Sequence, residues 1–502
     1  MAPLPLTQRW QALRRQPEFR IWLLATAVIL LNALSQRLVS STADVDQAGE
    51  LFRSQWWAWG YGSQPPLYSW ITRSLLLITG PSLWVLAGIK VALLSTLMAT
   101  SLRIGRLVGF STSQQWIAVA GFALIPQFAW EGQRDLTHSV LAATLALLAV
   151  LQLLRLERAG SWINYGIAGA LAAAGLLSKY NFLVFLAALL AAGLCLESYR
   201  RRLLHPRVLF AVGVMALLVA PHLGWVLHNP ELALGGFDKL DSQSDLIAAR
   251  LRGVISGIKA ALAFLSPLWC AALVLLWGRV QPTQERGQKL LRRLPIALAA
   301  TLLVVILVTG ATRIKDRWYQ SLLVYAPLVV ASLAGPAPLR GRQRLLPLAA
   351  ATSVAVAAVA LPGRTLLAGI TGKSSRPNLP MQELLLAVQR QSPSPDLILA
   401  DDGLLAGNIR LTFPHTPVWR VGASNPPLPS GTRLRHVLIL RQASGQQAEG
   451  GEALSALLDA LGLPATPLHF HAISKPLLWD SSKTQEIQWS LITLPAAISP
   501  NA

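Results

Sequence analysis

Apolar runs near membrane length, parted by short polar stretches, recur along the chain as far as Gly363. A bilayer's hydrocarbon core is crossed by about 20 consecutive apolar residues in a helix. The pattern predicts about eleven spans. They lie at 21–39, 83–102, 114–130, 137–154, 162–178, 181–197, 208–227, 258–278, 295–310, 319–335 and 346–362. After Gly363 the pattern changes. A polar, proline-rich stretch from Lys373 to Pro380 leads into roughly 120 residues with no run of membrane length. Short β-rich runs at Asp396–Ala400, His436–Leu440, Leu468–Ser474 and Ile487–Leu494, with a helical segment at Glu452–Leu461, predict a small α/β domain. The expected fold is therefore a polytopic α-helical membrane protein, residues 1–363, with a soluble C-terminal α/β domain, residues 364–502.

Composition agrees: the chain is 53% hydrophobic and 13% charged, with mean hydropathy +0.47. The net charge of +21 does not point to nucleic acid, because the basic residues sit in short clusters between apolar runs rather than on one folded face. Arg103 with Arg106, Arg155 with Arg158, Arg200–Arg202, Arg286 to Arg293, and Arg340 to Arg344 all fall on the side of the N-terminus. That N-terminus carries Arg9, Arg14, Arg15 and Arg20 and lacks a small-residue cleavage site, so it reads as an uncleaved first span starting in the cytoplasm. An arginine excess also suits anionic membrane lipids. The opposite loops are 40–82, 131–136, 178–181, 228–257 (with Asp238, Asp241 and Asp245) and 311–318, followed by everything after the last span. In a bacterium that side is the periplasm, and the membrane is the inner one. Cys195 and Cys270 lie in or beside apolar runs and give no disulfide framework.

The first outer loop concentrates the chemistry. It holds Asp44, Asp46 and Glu50, then six aromatic rings from Trp56 to Trp70. Carboxylates at a membrane boundary are costly unless solvated or functional, and tryptophan and tyrosine favour the interface. Leu67, Trp70, Ile71 and Leu75 give the Gln64–Thr79 piece a helical period suited to lying in that interface.

The loop's spelling, with Ser54-Gln55, Trp59-Gly60-Tyr61 and Pro65-Pro66-Leu67, resembles the bacterial membrane glycosyltransferases related to protein O-mannosyltransferases and to the lipid A aminoarabinose and galacturonic acid transferases. The resemblance implies a GT-C fold and sugar transfer from a polyprenyl-phosphate donor, with inversion at the anomeric carbon. It places the family's Asp on Asp46, its Glu on Gln47, and its Asp-His on Ser63 and Gln64. A carboxylate here can take the acceptor's proton as general base; the plain alternative is an N-cap of an interfacial helix. Asp44 competes for the same role, and Glu50 stands one helical turn from Asp46.

Three further groups stand on the outer side. Arg134 and Asp135 lie in the tight loop Glu131–Ser139, where the family supplies polar groups to donor phosphate or acceptor. Lys179 and Tyr180, in Ser178-Lys179-Tyr180, and Lys315 and Arg317, in Lys315-Asp316-Arg317-Trp318, match family motifs. Fixed cations there would meet the charge of a departing polyprenyl phosphate; the plain reading is contact with lipid headgroups. Pro221-His222-Leu-Gly-Trp225 also recurs in the family, although one His beside a Trp reads as a packed residue. Lys90 lies inside a span. No His or Cys spacing marks a metal site; a divalent metal bridging Asp44 or Asp46 to phosphate is compatible but not required.

The leading expectation is thus a glycosyltransferase moving a sugar from a polyprenyl-phosphate donor to a lipid, glycan or protein acceptor at the periplasmic face. A transporter or flippase for a lipid-linked sugar would place charged or glycine-broken helices near the midplane, whereas mid-span positions here are mostly Leu, Ala and Val. A non-catalytic relative that only binds lipid-linked sugar is the third reading, kept by Gln47, Ser63 and Gln64.

Overall fold

A computed structural model describes residues 16–135, 137–235, 246–277, 280–442, 447–463 and 468–498. Arg9, Arg14, Arg15, Asp238, Asp241 and Asp245 lie outside the described residues. The chain divides into two compact units, one of Met1–Asn32, Gly62–Leu67 and Lys90–Ala358, the other of Ala33–Tyr61, Tyr68–Ile89 and Val359–Ala502.

The helices of the first part are α1 (Pro17–Val39), α2 (Val45–Arg53), α3 (Leu67–Thr79), α4 (Leu83–Leu107), α5 (Thr112–Ala123), α6 (Thr137–Arg158), α7 (Trp162–Leu176), α8 (Phe182–Leu194) and α9 (Glu197–Leu203). They continue with α10 (Val208–His228), α11 (Leu246–Leu265), α12 (Leu268–Leu276), α13 (Arg286–Thr309), α14 (Ala326–Ala334) and α15 (Leu345–Leu366). Among the described residues six helices are long and apolar enough to cross a membrane: α1, α4, α6, α10, α13 and α15. The number rises to eight if the bent pairs α8–α9 (120°) and α11–α12 (76°) each make one span. The protein is a multi-span membrane protein.

The remaining apolar runs are helical but shorter or interrupted. The 114–130 run stops as α5 at Ala123 and resumes as a π-helical turn, Gln127–Glu131, after Pro126. The 319–335 run is broken before α14, which carries Pro327 in its first turn. Proline lacks the N–H that would continue the ladder, so breaks fall beside it. Helix α6 is the centre of the bundle: Thr137 to Leu147 is buried on every side.

At one end of this bundle the basic loops grip one another. Arg158 donates to the Leu107 carbonyl, Arg286 pairs with Glu157 at 3.0 Å, and Arg293 donates to the Cys195 carbonyl at 2.8 Å. These are loops whose charge placed them on one common side, and they meet.

The second unit continues with α16 (Met381–Gln391), β1 (Leu397–Ala400), α17 (Gly403–Thr412), β2 (Val418–Arg420), β3 (Leu434–Gln442), α18 (Gln447–Ala460), β4 (His471–Leu477) and β5 (Asp480–Ile498). The sheet order is β2-β1-β3-β5-β4, with β2, β1 and β3 parallel and β5 antiparallel to both its neighbours. Side chains alternate along β1. Ile398 and Ala400 join α16 and α17 on one face; Leu397 and Leu399 join Leu458 of α18 on the other. Phe52 of α2 is part of the first of these cores. Along α3, Ser69 and Thr72 point inward while Leu75, Leu77 and Ile78 are exposed, an inside-out face suited to lipid.

Candidate active site

In the second unit, Asp44 caps α2. Its carboxylate accepts from the Val45 N–H at 2.9 Å, and Gln47 Oε1 accepts from the Asp44 N–H at 3.2 Å, closing a capping box. Asp44 is buried and lies 3.5 Å from the Arg376 guanidinium. The cap reading weighed for Asp46 therefore belongs to Asp44, and Gln47 has a local task that an amide performs. Asp46 occupies the second helical position, half-buried, opposite the face of Ala48, Leu51 and Phe52 that packs inward. Glu50 is fully buried rather than solvated: Arg53 holds it at 2.6 Å and the Ser69 hydroxyl donates to it at 2.9 Å.

The aromatic residues fold this loop. Tyr61 donates to the Trp56 carbonyl at 2.7 Å, Trp70 Nε1 to the Ala58 carbonyl at 2.8 Å, and Trp59 meets Trp70 edge-on at 5.6 Å. Trp57 and Trp59 keep about half their surface exposed.

In the first unit, Lys315 and Arg317 line a cavity of about 940 Å³ together with Arg252, Lys259 and Arg313. Five cations face one acid, Asp316, and Asp316 already accepts from Gln127 at 2.7 Å. Among the described residues none of the five cations is in a salt bridge. The wall is built by close packing of α11 on the 311–319 segment. Gly253 passes so near that a Cβ there would lie 2.1 Å from the Ala311 carbonyl oxygen. Ile314 N–H donates to Ser256 at 2.9 Å, and the Tyr319 hydroxyl donates to the Gly257 carbonyl at 2.9 Å. Farther along α11, Leu262 and Leu265 enter an apolar groove of about 610 Å³ shared with α12 and the 323–333 segment. A cationic chamber followed by an apolar groove along one helix fits an amphiphile with an anionic head.

The turn at Ser178–Asn181 ties three elements together. Lys179 Nζ donates to the Ser139 hydroxyl at 2.6 Å. Tyr180 stacks on His222 at 5.8 Å with its hydroxyl 3.3 Å from Nε2, and His222 stacks in turn on Trp225 at 6.1 Å. Asn181 Nδ2 donates to the Trp318 carbonyl at 2.8 Å. Thus the turn that carries the Ser-Lys-Tyr motif is joined, through the neighbouring Asn181, to the last residue of the Lys-Asp-Arg-Trp motif. Arg134 pairs with Glu131 at 3.1 Å, and the carbonyl of buried Asp135 accepts from Lys90 Nζ at 2.9 Å. Lys90 thereby anchors the Glu131–Ser139 loop.

Residues 63–225 match the family described as dolichyl-phosphate-mannose-protein mannosyltransferase. Over 439 residues the chain is 33% identical to the lipopolysaccharide core galacturonosyltransferase RgtB of Rhizobium johnstonii, covering 85% of this chain and 88% of that protein. The chain belongs to this family of GT-C membrane glycosyltransferases. The transferase is also 29% identical over 463 residues to the core galacturonosyltransferase RgtA of the same organism, covering 88% of this chain and 91% of that one. Its fold matches the crystal structure of ArnT from Cupriavidus metallidurans bound to undecaprenyl phosphate, with TM-score 0.56 and 14% identity over 93% of this chain and 97% of that chain.

Sequence reasoning missed two walls of the transferase's cationic cavity, Lys259 and Arg252. Lys259 had a usable signal, since an ionisable residue at the edge of an apolar run is a functional candidate by default. Arg252 looked like any loop arginine. Among the described residues no group of three or more His, Cys, Asp or Glu stands ready to hold a metal ion.

Proposed function

We propose that this glycosyltransferase moves a uronic acid from a polyprenyl-phosphate donor to the lipopolysaccharide core at the periplasmic face of the inner membrane. The observation that carries this reading is the five-cation cavity on α11, with an apolar groove lined by Leu262 and Leu265 farther along the same helix. A phosphate head suits the first and a polyprenyl tail the second. The undecaprenyl phosphate in the ArnT structure supports the donor class, and the galacturonosyltransferase relatives support sugar and acceptor. The N-terminus is assigned to the cytoplasm and the C-terminal domain to the periplasm, following the basic loops.

In the proposed reaction Asp46 accepts the proton of an acceptor hydroxyl as its oxygen attacks the anomeric carbon. The bond from that carbon to the phosphate oxygen breaks, and polyprenyl phosphate leaves with the electron pair. Lys315 and Arg317 neutralise the growing charge on the leaving phosphate. Lys179, Arg134 and Asp135 hold polar parts of donor or acceptor, and the Tyr180–His222 stack fixes the turn that carries Lys179. Attack opposite the leaving group gives inversion.

The test is mass spectrometry of envelope glycolipids in a deletion strain complemented with wild type or with Asp46→Asn. A uronate-sized mass lost on deletion and restored only by wild type supports the reading. An unchanged profile in the deletion strain overturns it.

A further inference from the structure

We propose that the C-terminal domain is a positioning device for the loop that carries Asp46, with Gly407, Asn408 and Thr42 as positioning residues. The inference rests on the reading of Asp46 as the base.

Helix α2 has nine residues. Isolated helices below about 12–15 residues are marginal in water, so its geometry must come from what it packs on. That support is α17. A Cβ on Gly407 would stand 2.1 Å from the Ala48 carbonyl oxygen and 2.3 Å from its Cα. Both are backbone atoms that no rotamer change can move, so the two helices touch main chain to main chain. The next residue, Asn408, is 2% exposed; its Oδ1 accepts from the Ala43 N–H at 2.9 Å, and its Nδ2 donates to the Leu404 carbonyl at 2.8 Å. The segment entering α2 is fastened as well. Ser40 donates to the Pro377 carbonyl at 2.8 Å and Thr42 to the Leu379 carbonyl at 2.5 Å. Phe52, at the far end, is built into the core beneath the sheet.

The helix contacts at Ala48 and Phe52 lie on the face of α2 opposite Asp46. Asp46 itself is half-buried, on a helix whose opposite face is packed. General-base catalysis needs this kind of fixed placement, and a displacement of about 1 Å can cost about a hundredfold in rate. The domain therefore acts on the reaction through α2 without contributing a reacting group.

The test uses full-length protein in detergent, with undecaprenyl-phosphate-linked galacturonate as donor and extracted lipopolysaccharide as acceptor. Gly407→Ala wedges α17 from α2; Thr42→Val removes one hydrogen bond at nearly constant shape and keeps the test open if the first variant folds poorly. Amide exchange is followed across Ala43–Ser54 and, as control, across β3. The expected result is α2 exchange faster by about tenfold or more, β3 within about twofold of wild type, and kcat down about tenfold at unchanged donor KM. Unchanged α2 exchange in both variants overturns the inference, as does faster exchange with wild-type kcat. Asp46→Asn separates the two readings: if it keeps wild-type kcat while Gly407→Ala loses it, the base assignment fails and the positioning role stands.

Discussion

The side chain of Gln55 pairs with the backbone of Val418 in both directions: Nε2 donates to the Val418 carbonyl at 3.0 Å, and Oε1 accepts from the Val418 N–H at 2.8 Å. Val418 begins β2, the edge strand of the sheet. An open edge exposes unpaired backbone groups, and here one amide side chain from the first loop satisfies two of them. Gln55→Ala should lower the thermal midpoint, at a cost of about 1–3 kcal/mol for the groups left unpaired. Gln55→Glu should not rescue it, because a carboxylate would face the carbonyls of Phe52 and Val418 that now accept from Nε2.

Asp44 and Asp46 are separated by what each already does. Asn is as good an N-cap as Asp, and the pair between Asp44 and largely exposed Arg376 is weak. Asp46→Asn removes the proposed proton acceptor, which is worth about 10²–10⁴ in rate. Product formation at matched protein levels should therefore fall far more in Asp46→Asn than in Asp44→Asn. The reverse order would make Asp44 the base.

The fold was legible where its signal is long. Each apolar run of the sequence is helical, because burial in lipid demands twenty consecutive apolar residues and leaves little room for ambiguity. What the pattern hid were the breaks beside Pro126 and Pro327, where hydropathy continues but the hydrogen-bond ladder does not. In the C-terminal domain the runs at 396–400, 436–440 and 487–494 fall on β1, β3 and β5, while β2 has only three residues and cannot display alternation. The candidate site was legible as motifs but not as an arrangement. Nothing in the spacing of Asn181 and Trp318 announces their hydrogen bond, and nothing in residues 40–61 announces that the loop builds on a domain more than three hundred residues later.

The cationic cavity makes a prediction about the donor alone. Charge-assisted hydrogen bonds contribute about 1.5–3 kcal/mol each, so Lys315→Ala and Arg317→Ala should each lower kcat/KM for the donor by about 10–100-fold. Lys259→Ala tests the wall that the sequence did not reveal and should act in the same direction. Steady-state kinetics at two ionic strengths would check this. An effect confined to acceptor KM would remove the cavity from donor binding.

Asp401 supplies a pH dependence that belongs to the C-terminal domain. It directly follows β1; burial, reinforced by neighbouring Asp402, pushes its carboxyl up to about 6, although the Gln442 N–H donates to it at 2.8 Å. A carboxyl with a raised pKa binds more protons in the folded state than in the unfolded one between about pH 4 and 6. Stability from this group is therefore fully present below about pH 4 and is lost as pH rises through 6. Because the side chain is partly solvated, the loss by neutral pH is set at about 1 kcal/mol. Asn at this position keeps an oxygen for the Gln442 N–H and has no charge to desolvate. Asp401→Asn should raise the thermal midpoint at pH 7.5 and leave a smaller difference from wild type at pH 4.5. A variant less stable than wild type at both pH values would show that the ionised carboxylate is favoured where it stands.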